Sequence, residues 1–407
     1  MNQNQVTLIA HPGTQYSFHL AREVYRHDEL SAFYTCLAFN AESKLARWMS
    51  PFAKVFGMEK EWQNRLLSGV PTNKLHCYPA LEVSAQWRIR RGESALSVLR
   101  DRNDRFQREI PERALAEAQA VIGFDTSSHI LASRANAFGE KFILDRSIGY
   151  APGVNGLFES LRERYPEWSE TSLTKSETDL EIEDQEHTLA HLIVVPSKFV
   201  AQTLIASDVP ASKIRINPFG ADLEMFTVAS DPSLNGPMVF LFIGALSARK
   251  GLPLLLQAWD QLKATNAELW IAGPGTVPDQ TRRSSPDSVK WLGPVSRQRL
   301  PGIFQRSHVF VFPSYFEGLA QVQIEAAACG LPVIGTTASG AAEIIADGET
   351  GYIIDPGNLE QLVERLREFI ARPQLAREMR EQAKIKRAAL SWSAYGDRWS
   401  RILHELN

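Results

Sequence analysis

The sequence predicts an α/β protein built from two doubly wound parallel sheets. Its 407 residues exceed what one ordinary hydrophobic core organises and favour about two domains of roughly 150 to 200 residues. Short apolar runs alternate with longer segments of helical period, which is typical of parallel sheets covered by helices. We therefore expect two lobes, each with its own sheet.

Short apolar runs supply the predicted strands of both sheets. In the first half they are 6–10, 33–39, 120–124, 141–144 and 191–195. In the second half they are 238–243, 268–272, 289–292, 309–312, 332–334 and 352–354. Each half therefore has enough strands for one open sheet.

Proline, glycine and turn-forming residues concentrate at 217–237, and such a stretch marks a domain boundary. We place the hinge there, which divides the chain into an N-terminal lobe (1–222) and a C-terminal lobe (223–385). The tail from 359 has helical period with a break at 390–395. Its last part, 386–407, is expected to form a helix that crosses back to the first lobe.

Composition limits the binding partners and the cellular compartment that we expect for this protein. The formal net charge of -3 gives no global reason to bind nucleic acid. Three widely separated cysteines without a CxxC pair argue against a disulfide framework and a structural zinc site. No signal peptide is recognised, and no window approaches the roughly 20 apolar residues of a membrane span. We expect a cytoplasmic protein whose membrane contact, if any, is peripheral at the inner face.

An irregular segment, 41–108, interleaves aromatic residues with arginines. Such a surface can sit on an anionic membrane or hold a lipid-linked acceptor. A solvated helical face with local acidic partners is the favoured alternative. The residues concerned are Trp48, Phe52, Phe56, Trp62, Trp87, Arg88, Arg90, Arg91, Arg100, Arg102, Arg105 and Arg108.

The stretch 313–333 is the most informative, because it follows an apolar strand and opens a helix. The helix start would present the backbone N–H groups of Gly318, Leu319 and Ala320 beside a positive helix end, which suits a phosphate. Glu325 lies eight residues beyond Glu317, a rise of roughly 10 to 12 Å in a helix. One carboxylate could therefore hold each end of a nucleotide sugar.

A second strand, small-residue loop and helix start occurs at 242–251, with Gly244 in the loop and Arg249 and Lys250 adjacent at its end. A departing nucleoside diphosphate gains negative charge as the sugar bond breaks. Cations already aimed at it lower the barrier more than they stabilise the bound donor. Arginine can fork two oxygens, whereas lysine acts as a compact point charge.

These motifs resemble those of the family-4 retaining glycosyltransferases, which have the GT-B fold of two Rossmann-like domains facing each other across a cleft. The resemblance rests on Glu317-x7-Glu325 and is strong from about 189 to 357. Further matching segments are Cys329–Val333, Gly340–Ile345, Asp347–Gly351, Arg249–Gly251, Val195–Phe199 and Ile216–Asp222.

The resemblance implies that Glu317 contacts donor-sugar hydroxyls, Glu325 the ribose, and Arg249 with Lys250 the diphosphate. The loop 292–295, ending at Val295, would line the base. Family members transfer with retention and need no divalent ion or other cofactor, and the departing phosphate helps to deprotonate the acceptor hydroxyl. The implied partners are a nucleotide sugar and a carbohydrate or lipid-linked acceptor.

The N-terminal lobe departs from the family pattern. Its first loop, His11-Pro-Gly13, lacks a double glycine, although Gly13 is still placed on the donor side. The family's catalytic histidine is missing at 123–126, where Asp125 or His11 could substitute. Asp125 is also a candidate for an N-cap cluster, and Arg146 could face the acceptor or form a structural ion pair.

Other readings of these residues remain open. His187 and His191 have one-turn helical spacing, but His187 is expected on a solvated helix face and no metal site is predicted. A phosphorylase or a nucleotide-sugar epimerase could use the same fold. A binding protein without activity is disfavoured, because both carboxylates and both cations of the motifs are present.

Overall fold

The computed structural model describes residues 6–14, 16–44, 46, 48, 62–150, 152, 155–168, 175–228 and 236–406. Two parallel sheets form its framework, in the strand orders β5-β2-β1-β6-β7-β8-β9 and β12-β11-β10-β13-β14-β15. The strands of the first sheet are β1 Thr7–Ala10, β2 Leu30–Thr35, β5 Leu75–Cys77, β6 Ala120–Phe124, β7 Lys141–Asp145, β8 Leu192–Val195 and β9 Ile214–Ile216. Those of the second are β10 Met238–Ile243, β11 Ala267–Ala272, β12 Val289–Gly293, β13 Val309–Phe312, β14 Val333–Thr336 and β15 Gly351–Ile354. A small pair, β3 Phe39–Asn40 and β4 Leu66–Leu67, lies apart.

The predicted α/β class with two parallel sheets is confirmed, and the strands that sequence reasoning missed are short. β5 and β9 each form one edge of the first sheet and have three residues. Both contain a polar residue, His76 and Arg215, and neither has a fully buried side chain. Without a continuous apolar run, an edge strand has little sequence signal.

Helices cover both sheets, and none of those described is long and apolar enough to cross a membrane. In the first lobe they are α1 Ser17–Arg26, α2 Pro79–Arg90, α3 Ala95–Glu109, α4 Glu112–Ala116, α5 His129–Ala137, α6 Asn155–Arg164, α7 Glu177–Leu189 and α8 Lys198–Ile205. After the hinge they are α9 Leu252–Leu262, α10 Asp279–Ser284, α11 Leu300–Gln305, α12 Gln321–Ala328, α13 Leu359–Ala371, α14 Gln374–Lys386 and α15 Trp392–His404.

Part of the basic segment forms a packed helical pair, α2 and α3, in which several arginines have acidic partners. Arg88 contacts Asp101 at 2.5 Å, and Arg102 contacts the buried Glu82 at 2.7 Å. Arg100 reaches Asp179 on α7 at 2.5 Å. These contacts support the solvated-face alternative. Phe52 and Phe56 lie outside the described residues.

The last helix, α15, joins the two lobes. It packs against α1 of the first lobe, where Trp399 and Tyr395 are completely buried. Its start is tied to the hinge, because the Ala221 amide donates to the Leu390 carbonyl at 2.7 Å. Arg398 donates to the Asn217 side chain, also at 2.7 Å. Part of the predicted hinge, 229–235, lies outside the described residues.

Truncation of the Trp399 side chain should destabilise the whole fold. Trp399→Ala removes a side chain with no exposed surface, and such a cavity costs about 3 to 5 kcal/mol. Chemical denaturation measures the free energy of unfolding. Trp87→Ala is the matched control, since Trp87 is 53% exposed and should change it by less than about 1 kcal/mol. An equal effect of both substitutions would contradict the packing role of α15.

Candidate active site in the C-terminal lobe

The loop 247–251 packs closely against the segment that follows β13. A Cβ at Gly251 would lie 2.0 Å from the Pro313 carbonyl oxygen, and its φ of +73° is left-handed, so only glycine fits. The Tyr315 amide and the Ser314 hydroxyl both donate to the Arg249 carbonyl, at 2.8 Å and 3.0 Å. This contact brings the two sequence motifs together.

Arg249, Lys250 and Glu317 form one ionic cluster at this junction. An Arg249 N–H donates to Glu317 Oε1 at 2.5 Å, and Lys250 Nζ contacts the same oxygen. All three side chains are less than 20% exposed. Burial lowers the pKa of Lys250, the Glu317 carboxylate opposes this shift, and Arg249 adds to it. These three side chains together carry one net positive charge, which suits an anion.

Backbone amides at the start of α12 accompany this charge. Within the described residues, no protein acceptor is found for the amides of Gly318 and Leu319, whereas the Ala320 amide makes a long 3.5 Å contact to the Ser339 carbonyl. The predicted set of free amides is therefore reduced to two. Together with Lys250 they can bind phosphate oxygens.

Both lobes meet at Gly318. A Cβ there would lie 1.8 Å from the Ser147 carbonyl oxygen of the first lobe, and the Ser197 hydroxyl donates to the Gly318 carbonyl at 2.6 Å. Close by, the Lys198 amide donates to Glu343 at 2.8 Å. The lobes are thus in direct contact beside the ionic cluster.

Glu325, the second motif carboxylate, is buried and paired with a residue that sequence reasoning missed. Its side chain is 5% exposed and lies 3.0 Å from Arg297. Burial raises the pKa of Glu325 to about 7, and Arg297 opposes the rise. Arg297 follows the predicted base loop, in which Val295 is half-buried. A ribose that used Glu325 would have to share it with Arg297 or displace it.

The first loop of the N-terminal lobe is ordered by its own histidine. The Gly13 amide donates to His11 Nδ1 at 2.7 Å, and the His11 ring meets Phe124 edge to face at 4.5 Å. His11 is only 6% exposed. Gly244 lies in the opposite lobe, where its amide donates to the Ala272 carbonyl at 3.0 Å.

Asp125 binds the loop that touches Gly318. The Ser147 amide and hydroxyl donate to Asp125 at 3.3 and 3.2 Å. Asp125 itself does not cap α5: Ser128, at the end of the predicted cluster, is the N-cap residue. The first-turn amides of Ile130 and Leu131 donate to Gln107 at 2.8 and 3.0 Å, and Glu186 accepts from the Thr126 and Ser128 amides at 2.9 and 2.8 Å. Thr126 is held at a φ of +64°, an unfavourable conformation for this residue.

Arg146 is a structural residue in this conformation. Its side chain is fully buried, with Glu183 at 3.4 Å and His187 at 3.0 Å. The sequence left two alternatives for Arg146, an acceptor contact and a structural ion pair. The structure supports the structural ion pair. His187 is 6% exposed, so its predicted position on a solvated face was wrong. Burial and Arg146 lower the pKa of His187 to about 3.

A buried carboxyl group that sequence reasoning missed connects three distant segments. Asp145, at the end of β7, accepts from the hydroxyls of Tyr16 at 3.1 Å and Tyr395 at 3.4 Å. Burial raises the pKa of Asp145 well above its ordinary value. The partners are 129 and 250 residues away in sequence, so no local pattern could reveal them.

Among the described residues, no group of three or more His, Cys, Asp or Glu side chains is placed to hold a metal ion. The candidate site consists of the Arg249–Lys250–Glu317 cluster, the Gly318 and Leu319 amides and the Glu325–Arg297 pair.

The fold and this site define a two-lobed GT-B protein. The crystal structure of Anabaena Alr3699/HepE in complex with UDP matches with a TM-score of 0.63 and 14% identity, over 98% of this chain and 100% of that chain. Sucrose-phosphate synthase from Thermosynechococcus elongatus matches with a TM-score of 0.63 and 16% identity, over 99% of each chain. These likenesses show the GT-B fold.

Residues 228–386 match the family model described as glycosyl transferases group 1. One curated relative is a D-inositol 3-phosphate glycosyltransferase of Corynebacterium jeikeium, 27% identical over 242 residues. The match covers 53% of this chain and 58% of that relative. The chain thus spans little more than half of the relative's length.

The protonation of Glu325 should make stability depend on pH. Since burial raises its pKa from 4.5 to about 7, the folded chain binds this proton more tightly than the unfolded chain. The stabilisation that comes from binding this proton is therefore fully present below pH 4.5 and is lost as pH rises through 7, by about 3 kcal/mol in all. Glu325→Gln should lack this loss in denaturation at pH 5 and pH 7.5. Glu378→Gln, at an exposed position, should behave as the wild type; parallel pH profiles for all three proteins would contradict the assignment.

Proposed function

We propose that this protein is a glycosyltransferase that moves a sugar from a nucleotide-diphosphate sugar to an acceptor hydroxyl. The observation that carries the proposal is the Arg249–Lys250–Glu317 cluster beside the free amides of Gly318 and Leu319. The match of residues 228–386 to the glycosyl transferases group 1 model and the UDP in the crystal structure of the structurally similar Alr3699/HepE support a nucleotide-sugar donor.

In the proposed mechanism, the diphosphate binds Arg249 and Lys250, which pair with Glu317 in the free protein. Arg249 and Lys250 then neutralise the charge that develops on the leaving phosphate. Release from this pairing frees Glu317 to accept hydrogen bonds from the donor sugar. Transfer proceeds with retention, and the departing phosphate, not a divalent ion or a side-chain nucleophile, assists removal of the acceptor proton.

The acceptor enters from the N-terminal lobe, near Asp125 and His11. Asp125 touches the Ser147 loop, which lies against Gly318, so it is close to the donor motif. A lobe contact at this point excludes water that would otherwise hydrolyse the donor. We place the reaction in the cytoplasm, in the synthesis of a cell-surface polysaccharide or glycolipid. For a lipid-linked acceptor, the protein would contact the membrane peripherally.

Loss of the Lys250 cation should abolish most turnover without unfolding the chain. Lys250→Ala removes a partner of the developing phosphate charge, and comparable losses lower kcat about 100-fold to 1,000-fold. Glu317→Ala should have a similar effect on transfer. Lys290→Ala, at an exposed position of β12, is the matched control and should retain normal transfer. Near-normal kcat in Lys250→Ala would contradict the site.

The donor can be identified by thermal shift with a panel of nucleotide sugars, because a ligand that binds only the native state raises the Tm. Transfer from the donor found in this way should survive excess chelator. Irreversible loss of transfer on metal removal would refute the proposed metal-independent route. Consumption of the donor without an acceptor, or dependence on free phosphate, would instead indicate an epimerase or a phosphorylase.

A further inference from the structure

The Phe316 ring of the C-terminal lobe packs into the N-terminal lobe. Phe316 directly precedes Glu317 and is only 4% exposed. Its ring meets those of Phe199 and Phe158 edge to face, with centroids 5.4 Å and 6.4 Å away. These two partners lie on α8 and α6 of the other lobe. Within the described residues, this apolar cluster is separate from the two larger cores.

Gly149, in the loop after β7, provides the space for this ring. A Cβ at Gly149 would lie 2.7 Å from Cζ of Phe316, well inside the roughly 3.5 to 4.0 Å of an ordinary carbon contact. The Gly149 carbonyl accepts from Arg146 at 3.2 Å, and the Tyr150 amide donates to the Thr203 hydroxyl at 3.0 Å. The loop is therefore fixed within its own lobe, and the ring of the other lobe packs on its backbone.

The backbone of Phe316 belongs to the ionic cluster of the candidate site. Nη1 of Arg249 donates both to the Phe316 carbonyl at 2.8 Å and to Glu317 at 2.5 Å. Two residues after Phe316, Gly318 packs against the loop after β7. Movement of the ring away from Gly149 would therefore shift this loop relative to Glu317.

The two lobes are not in continuous contact beside the ring. A cavity of about 600 Å³ opens there, lined by Tyr150 and Thr203 of the N-terminal lobe and by Phe316 and Ala338 of the C-terminal lobe. Surfaces separated by such a gap gain no dispersion energy from each other. The apolar contact between the lobes at this point therefore depends on the Phe316 ring.

We propose that Phe316 is a positioning residue of the transfer reaction, which holds the loop after β7 in register with Glu317. The inference rests on the proposed function, because it assigns a role in that reaction. With the ring seated at Gly149, the loop excludes water from the donor sugar. Without the ring, the loop can separate from Glu317, while the cations and amides that bind the diphosphate stay in place.

Water then competes with the acceptor for the donor. In this hydrolysis the water oxygen bonds to the anomeric carbon, the bond from that carbon to the diphosphate breaks, and the diphosphate takes the proton. A faster hydrolysis at unchanged donor affinity is therefore the signature of a lost positioning contact.

Donor hydrolysis by the full chain without an acceptor tests the proposal. The probes are UDP-glucose, GDP-mannose and any further nucleotide sugar that raises the Tm. Phe316→Ala should raise the hydrolysis rate about fivefold or more, because two aromatic pairs between the lobes are lost. The Kd of the donor should stay within about twofold of the wild-type value, since the groups that bind the diphosphate are retained.

Phe369→Ala is the matched control for lost stability. The Phe369 ring is also completely buried, but its partners Phe240 and Tyr352 belong to its own lobe. This substitution should lower the Tm and leave the hydrolysis rate of the folded protein unchanged. An equal rise in hydrolysis in Phe369→Ala and Phe316→Ala would overturn the proposal, because general loosening would then explain both.

A second variant covers the case in which loss of the ring disturbs the fold. Gly149→Ala keeps Phe316 but adds a methyl group that must displace its ring. It should therefore raise hydrolysis by a similar factor. In the double variant Gly149→Ala/Phe316→Ala the steric conflict is removed, so hydrolysis should be no faster than in Phe316→Ala. Additive effects of the two substitutions, or normal hydrolysis in Gly149→Ala, would each contradict the proposal.

Hydrogen exchange separates the failure of this inference from the failure of the proposed function. Amides of the loop after β7 should exchange about fivefold or more faster in Phe316→Ala than in the wild type. If no nucleotide sugar bound the wild type, the proposed function and the positioning role would fail together, and faster exchange would show that only the contact stands. If a donor bound and exchange rose while hydrolysis did not, the positioning role alone would be wrong.

Discussion

The contact between Gly251 and Pro313 is the constraint on which the candidate site depends. Strands β10 and β13 are parallel neighbours, so their carboxyl ends lie at the same edge of the sheet. The absence of a side chain at Gly251 lets the two following segments touch. Arg249 and Lys250 are thereby held against Glu317, although 68 and 67 residues separate them from it in the chain. The cluster is therefore already assembled in this structure.

The N-terminal lobe also contacts the turn beside this cluster. Gly318 lies against Ser147 and accepts a hydrogen bond from Ser197, so residues on both sides of the cleft position the same turn. The crossing helix α15 reinforces this arrangement through its contacts with α1. Because α15 also bonds to the hinge, any opening of the cleft must be accommodated at that helix.

Buried ionisable groups hold the loops on the N-terminal side of the cleft. Glu186 holds the strained backbone at Thr126, and Asp125 of the same turn binds Ser147. Arg146 and His187 pack beneath the following loop. Burial of such groups costs desolvation energy. Their hydrogen bonds fix the loop conformation. The loop that faces Gly318 is therefore held by hydrogen bonds to Arg146 and Asp125.

The sequence by itself determined the fold class, most strands and the two segments that meet at the candidate site. These features follow from local signals: apolar runs of strand length, a glycine at a helix start, and charged residues beside it. Val309–Phe312 followed by Glu317 carries that information within one short stretch of the chain.

Only the tertiary structure decided which charged residues meet and which are buried. Arg297 with Glu325, Asp145 with Tyr16 and Tyr395, and Arg146 with His187 are all pairs from separate elements. Their burial and protonation depend on neighbours brought together by chain topology, which no local pattern encodes. His187 illustrates this point, because its place on a helix predicts a solvated side chain, whereas the fold packs the buried Arg146 against it.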